Sequence, residues 1–347
     1  MRALTIEPGH ADSLRLDTVP EPPLRDGSVL VQTLAIGVCG TDHEILEGHY
    51  GWAPPGEARL IVGHESLGRV LEAPPDAGVV PGDLVAGIVR RPDPVPCPAC
   101  AAGQWDMCRN GLYTERGIKE RNGYAGERFR IEPQFVVRID RALGLDGVLL
   151  EPASVVAKAW EQVERIGSRS STWQPSIVLV TGAGPIGLLA ALMGTQRGHE
   201  IHVFDRVREG VKPELVQALG ATYHAGSLDK LAPDLVIECT GATPVILDAL
   251  DRLAPDGIIC LAGVSSGDHV IDFDLGRLNR SMVLENTVLF GTVNANREHY
   301  VAAAEALARA DRAWLGRVIS RRVPLDRWHE AFVRQPDDVK VVIEFGS

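Results

Sequence analysis

One hexapeptide constrains this chain more than any other feature. Gly182-Ala183-Gly184-Pro185-Ile186-Gly187 follows the apolar run Ile177-Val178-Leu179-Val180 and opens an apolar, helix-like stretch, Ile186–Met193. The first glycine permits a tight turn, the second lets the backbone approach a pyrophosphate, and the third lets helix and strand pack closely. The helix N-terminus then turns unpaired N–H groups toward phosphate. A second strand-like run, Ile201-His202-Val203-Phe204, leads into Asp205. Its carboxylate can accept from both ribose hydroxyls and repel a 2′-phosphate. Arg206 and Arg208 follow, and either could instead meet such a phosphate. The expected cofactor is NAD or NADP, with NAD favoured.

Strands and helices keep alternating after this point. Pro213–Leu219 reads as a helix, Leu235-Val236-Ile237 as a strand, Pro244–Leu253 as a helix and Ile258–Leu261 as a strand. This spacing implies βαβ units and a parallel sheet. Val155–Ile166 reads as a helix that precedes them. Residues 1–150 have another texture: short apolar runs (Val29 to Ala35, Ser66 to Glu72, Leu84 to Val89) broken by glycine and proline. The stretches Gly48–Gly56 and Arg91–Gly103 are long for plain connectors and mark candidate functional loops. A tail adds helices at Glu298–Ala310 and near Asp326–Val333, then a strand, Val339–Phe345. At 347 residues the chain exceeds one ordinary core, so two domains are expected, with the texture changing near 153 and 292.

The balance of 46 acidic against 35 basic residues, a net charge of −11, argues against a nucleic-acid surface. No apolar run is long enough to cross a membrane. The opening Met1–Pro8 lacks the long apolar stretch of a signal peptide. A cytoplasmic chain is therefore expected, and disulfides are not. Three of the six cysteines, Cys97, Cys100 and Cys108, fall close together in a polar loop. That clustering suggests a structural metal, which wants four closed ligands. Asp93 is the best substitute for a missing fourth cysteine, and a metal-free loop is the alternative. Among Cys39, His64, Glu65 and Glu151, a thiolate, an imidazole and one carboxylate could supply a tetrahedral zinc with one position left open. Spacing alone leaves a buried thiol and a satisfied histidine equally open. Thr41 reads either as a proton-accepting hydroxyl or as part of a helix cap, and Cys239 and Cys260 as core.

Together these residues resemble the medium-chain, zinc-dependent alcohol dehydrogenases over essentially the whole chain. The resemblance rests on Gly37-Val38-Cys39-Gly40-Thr41-Asp42, Gly63-His64-Glu65 with Gly68, Gly82-Asp83 with Val85, the cysteine loop, Glu151-Pro152 and the glycine turn. Other segments are similar to the glucose dehydrogenase branch: Thr41–Ile45, Val89–Pro92, Tyr113–Ile118, Glu151–Val156 with Lys158, and Gly291–Asn294. The resemblance implies a GroES-like β-rich catalytic domain, 1–153 completed by 293–347, and an inserted Rossmann domain, 154–292. It places a catalytic zinc on Cys39, His64 and Glu151, with Glu65 as an additional or exchanging ligand. It departs from the family at the absent first cysteine of the lobe and at Glu44, where many members carry histidine.

The implied reaction is oxidation of an aldose (glucose, galactose or xylose) at C1 to the lactone, with hydride passing to NAD(P)+. The alternative is a polyol, threonine or other secondary-alcohol dehydrogenase. Glu115, His43, Asn294 and Asn296 are the candidate sugar contacts, with Arg90 after them. Tyr50 and Trp52 read as a lid or as packing. The cofactor set is Gly182, Gly184, Pro185, Ile186, Gly187, Asp205, Arg206 and Thr240. A homodimer or homotetramer is expected, with no nucleic-acid or membrane partner.

Overall fold

The computed structural model describes residues 1–228, 230–265 and 271–346. The chain divides into two compact units, 1–154 with 294–347 and 155–293. No helix among the described residues is long and apolar enough to cross a membrane.

The first unit is built on a seven-stranded sheet. Its order runs Val136–Ile139, Leu84–Gly87, Glu65–Glu72, Val29–Val38, Lys340–Glu344, Ile319–Pro324, with Arg128–Ile131 also paired to Val29–Val38. Pairing is antiparallel except between the last two strands of that order. Val29–Val38 begins with alternating burial, as a one-faced strand should, then becomes buried on both faces over its last four residues. The register there positions the chemistry. Gly37 faces Glu65 on one side, and Val38 faces Val341 on the other. The C-terminal tail is thereby stitched beside the strand that delivers Cys39. The expected helix near Asp326–Val333 is instead a 3₁₀ segment, Leu325–Phe332, with a non-helical residue at Arg327.

The second unit is a six-stranded, wholly parallel sheet. Its order is Thr222–His224, Glu200–Phe204, Ile177–Thr181, Leu235–Glu238, Ile258–Leu261, Val288–Gly291. Numbered within the unit this is 3-2-1-4-5-6, the Rossmann order. Val178, Leu179, Val180, Val236, Ile237, Ile258 and Ile259 are fully buried, because crossover helices cover both faces of such a sheet. Strand order reverses beside Ile177–Thr181, so a crevice opens at that strand's carboxyl end. The glycine turn sits there. The helix Pro185–Gln196 begins inside the turn, with Gly184 as its cap and Pro185 in its first turn.

Candidate active site

Cys39 caps the short helix Gly40–Leu46. Its Sγ accepts from the Thr41 N–H at 3.2 Å, and Asp42 Oδ2 accepts from the Cys39 N–H at 2.9 Å. This reciprocal pair fixes the thiol at the strand end. His64 stands just before the strand Glu65–Glu72, with Nε2 3.1 Å from Cys39 Sγ and Nδ1 3.4 Å from Asp42 Oδ1. Asp42 therefore orients the ring so that Nε2 faces the thiol. A carboxylate oxygen of Glu65 lies with these two donors, all within 4.8 Å of one another. Glu65 needs its register partner to be glycine: a Cβ on Gly37 would come 2.0 Å from Glu65 Oε2. Glu151 stands in the first turn of Leu150–Gly167, outside that 4.8 Å group.

The electrostatics call for a cation. Cys39, Asp42, Glu65 and Glu151 offer four acidic groups, met among the described residues by Lys340, paired with Glu65, and by the His64 ring beside Asp42. Burial pushes the Cys39 thiol up, with Asp42 and Glu65 adding to the rise and His64 opposing it. Burial lifts Glu151 to about 7, with Glu65 and Asp42 acting the same way. Burial alone would depress His64, yet Cys39 and Asp42 outweigh it and hold the ring well above its usual range. One thiol, one imidazole and carboxylates, buried and short of positive charge, fit a divalent zinc.

A second polar cluster lies in the same unit. Arg90 and Glu115 face each other across paired strands. Arg90 Nε donates to Glu115 Oε1 at 3.0 Å, and Nη2 pairs with the same oxygen at 2.9 Å. Asn294 Nδ2 donates to the same oxygen at 2.6 Å, and Tyr113 lies 3.7 Å under the guanidinium. Oε2 carries no hydrogen bond among the described residues. Tyr50 is close enough for Glu115 to help raise its pKa, after burial. Its ring meets Trp52 edge-on at 5.0 Å, and both are exposed. His43 rests edge-on against Phe332. Asn296 stands at a helix start. It is buried, and its Oδ1 caps helix Arg297–Arg309 by accepting from Glu298 N and His299 N.

In the other unit, Gly182 adopts φ +88°, and a Cβ on Gly187 would lie 1.8 Å from the Gly182 carbonyl. Neither position tolerates a side chain. Asp205 Oδ2 accepts from Ala183 N at 2.7 Å, and Oδ1 from Val207 N at 3.0 Å. The acid thus braces the glycine turn itself. Arg206 and Arg208 are exposed, and Lys212 Nζ is 3.8 Å from Asp205. Thr240 is held by Glu238, a fully buried carboxylate that also accepts from Thr181 Oγ1 and Gly241 N.

The cysteine loop brings Cys97, Cys100 and Cys108 within 4.8 Å of one another. Asp93 does not join them. Its Oδ1 accepts from Val95 N at 2.9 Å, while its backbone N–H donates to the Cys100 sulfur. Arg109 N and further backbone N–H groups lower Cys97 to about 6. Three sulfurs need a fourth donor to make the closed set a structural zinc requires, and Asp93 Oδ2 is buried without a hydrogen-bond partner among the described residues.

Residues 25–141 match the alcohol dehydrogenase GroES-like domain, and residues 145–345 match the glucose dehydrogenase C-terminus family. A glucose 1-dehydrogenase of Methanocella arvoryzae is 39% identical, with both chains covered in full. The glucose 1-dehydrogenase of Thermoproteus tenax is 40% identical over 99% of each chain. The chain belongs to the glucose dehydrogenase branch of the zinc-dependent medium-chain alcohol dehydrogenases. The solved glucose dehydrogenase of Haloferax mediterranei, in complex with NADP, Zn and gluconolactone, superposes with a TM-score of 0.91 at 32% identity and full coverage of both.

This member of the branch holds functional neighbours that sequence reasoning passed over. Asp42 was legible in principle, since it sits three residues after Cys39 at a capping-box position. Glu238 and Lys340 were not, because each reads locally as the polar end of a strand.

Proposed function

We propose that the chain oxidises an aldose, glucose first, at C1 to the lactone, passing hydride to NAD+ or NADP+. The observation that carries this reading is the Glu115 carboxylate. Three nitrogens converge on Oε1 and leave Oε2 free to accept from a sugar hydroxyl. A buried carboxylate prepared in this way discriminates strongly for hydroxylated substrates, because a substrate without the hydroxyl leaves it unpaired. The branch supports the same choice, and the Haloferax mediterranei relative is a complex with gluconolactone.

Cys39, His64 and Glu151 would hold the zinc, with Asp42 orienting the histidine. The bound ion supplies Lewis acidity to the C1 hydroxyl, and the nicotinamide supplies the hydride acceptor. Thr41, whose N–H already touches the Cys39 sulfur, accepts the hydroxyl proton as its own hydroxyl proton passes on to solvent. Glu115 and Asn294 orient the ring, with His43 and the Tyr50–Trp52 pair beside them. Gly182, Gly184, Pro185, Ile186 and Gly187 receive the pyrophosphate at the helix N-terminus. Asp205 receives the ribose, with Arg206 alongside, and Thr240 borders the nicotinamide side. The unit 1–154 with 294–347 acts as the catalytic domain and 155–293 as the dinucleotide domain. The protein works in the cytoplasm as a homodimer or homotetramer. Leu275, Val283 and Leu284 support assembly, since they stand exposed on a helix with no buried residue.

Initial rates on glucose, galactose, xylose, sorbitol, threonine and 2-propanol, each with NAD+ and NADP+, test the reading. Aldoses are expected to lead, and silence on all three would overturn it. Asp205→Ala is expected to weaken NAD+ by about tenfold, the scale of one charge-assisted hydrogen bond. NADP+ should lose less, since the repulsion of its phosphate disappears. Fluorescence titration checks this, and equal losses would remove Asp205 from the ribose.

A further inference from the structure

We propose that Glu238 is a positioning residue of the dinucleotide crevice. It ties three strand-end loops together and sets one negative charge on the nicotinamide side, biasing the crevice toward the oxidised, cationic ring over the reduced, neutral one. The inference rests on the reading that puts Thr240 on that side. Glu238 ends the strand Leu235–Glu238 and lies in register between Thr181 and Leu261, the last residues of the two neighbouring strands. All three strands run parallel, so their carboxyl ends open on the crevice where a cofactor binds. The Glu238 side chain is fully buried there. Its Oε1 accepts from Thr240 N at 2.7 Å, from Thr181 Oγ1 and Gly241 N at 3.2 Å each, and from Thr240 Oγ1. Its Oε2 accepts from Gly241 N at 3.1 Å. No cationic side chain pairs with it among the described residues.

The backbone around it tightens the same knot. The Glu238 carbonyl accepts from Ala262 N and Gly263 N, each at 2.8 Å, and Cys239 N donates to the Thr181 carbonyl at 3.0 Å. Ser265 Oγ donates to the Gly241 carbonyl at 2.7 Å. Thr240 in turn packs on the glycine turn, since a Cβ on Gly182 would lie 2.9 Å from Thr240 Cγ2. One carboxylate therefore fixes the loops after three strands, the pyrophosphate turn among them.

Geometry alone does not call for an acid here. A glutamine of the same reach would offer the same Oε1 acceptor at a lower desolvation cost. What the carboxylate adds is its charge, which is weakly screened in the interior. An oxidised nicotinamide carries a positive charge that the reduced ring lacks, so this charge acts on one redox form only.

The test titrates full-length protein calorimetrically with NAD+ and NADH, with NADP+ and NADPH, and with ADP-ribose, which lacks the ring. Glu238→Gln is expected to weaken binding of the oxidised cofactor about tenfold, while the reduced form and ADP-ribose stay within about twofold of the parent. A loss no greater for the oxidised form than for the reduced one overturns the proposal. Glu238→Asp keeps the charge, shortens the reach and remains informative if the glutamine variant does not fold. It is expected to weaken both redox forms alike, leaving the ratio of their dissociation constants within about twofold of the parent. A larger shift in that ratio would place the preference in the shape of the turn and overturn the proposal. The dinucleotide reading fails separately, if the parent binds none of these ligands.

Discussion

Replacing His64 with alanine is expected to strip the metal centre and to lower kcat/KM for glucose by about 1,000-fold or more, roughly 4 kcal/mol of transition-state stabilisation. The size follows from where the ring stands. His64 is buried, with one nitrogen 3.1 Å from the Cys39 sulfur and the other 3.4 Å from Asp42. Removing it deletes a donor and leaves the Asp42 oxygen that faced it without a partner. It also raises the cost of keeping the buried thiol ionised, because His64 is the main group opposing the rise in the Cys39 pKa. Asp42→Asn deletes only the orienting charge and should weaken metal binding by about 10- to 100-fold. Elemental analysis alongside steady-state kinetics separates the two. A His64→Ala protein that keeps one metal ion per chain and the parental rate would remove the centre from this place.

The same residues show how far local sequence reaches. The glycine turn, the strand before it and the acid after the next strand all lie within one βαβ unit, so their roles follow from spacing and the fold class with them. Cys39, Thr41 and Asp42 are legible for a similar reason, since a helix cap is a local object. Glu65 and Lys340 are 275 positions apart. Their pairing exists only because the C-terminal strand lies against Val29–Val38, and no local pattern encodes that register. Asp93 and Asn296 carry a second role that spacing does not announce. Both were assigned by what their side chains can do in general, a carboxylate ligating and an amide meeting a hydroxyl. In the fold, backbone N–H groups at a turn and at a helix start claim Oδ1 of each, while Asp93 Oδ2 stays buried without a partner among the described residues. The cap is stronger than a waiting role because the orphan donors of a helix start are always present.

Arg90→Met is expected to cost about 3–5 kcal/mol of stability and, independently, about 100-fold in kcat/KM for glucose. Arg90 and Glu115 are both buried, at 6% and 4% exposure. The guanidinium is packed over Tyr113 and donates a further hydrogen bond to the Asp106 carbonyl. Without it, the Glu115 carboxylate keeps only the Asn294 amide, and Asn294 is itself held at φ +64° beside that contact. A carboxylate left buried and under-partnered takes up a proton or turns, and in either case Oε2 no longer waits as an acceptor. Stability and recognition come apart in Arg90→Met/Glu115→Leu. Replacing both members of a buried pair by apolar groups restores most of the folding free energy, but it supplies nothing for a sugar hydroxyl. Thermal unfolding should therefore return toward the parent in the double variant while turnover of glucose stays low. Residual oxidation of 2-propanol, which has no further hydroxyl to match, should change little in either variant. If the double variant recovered glucose activity along with its melting temperature, Glu115 would be a structural acid and the sugar would be recognised elsewhere.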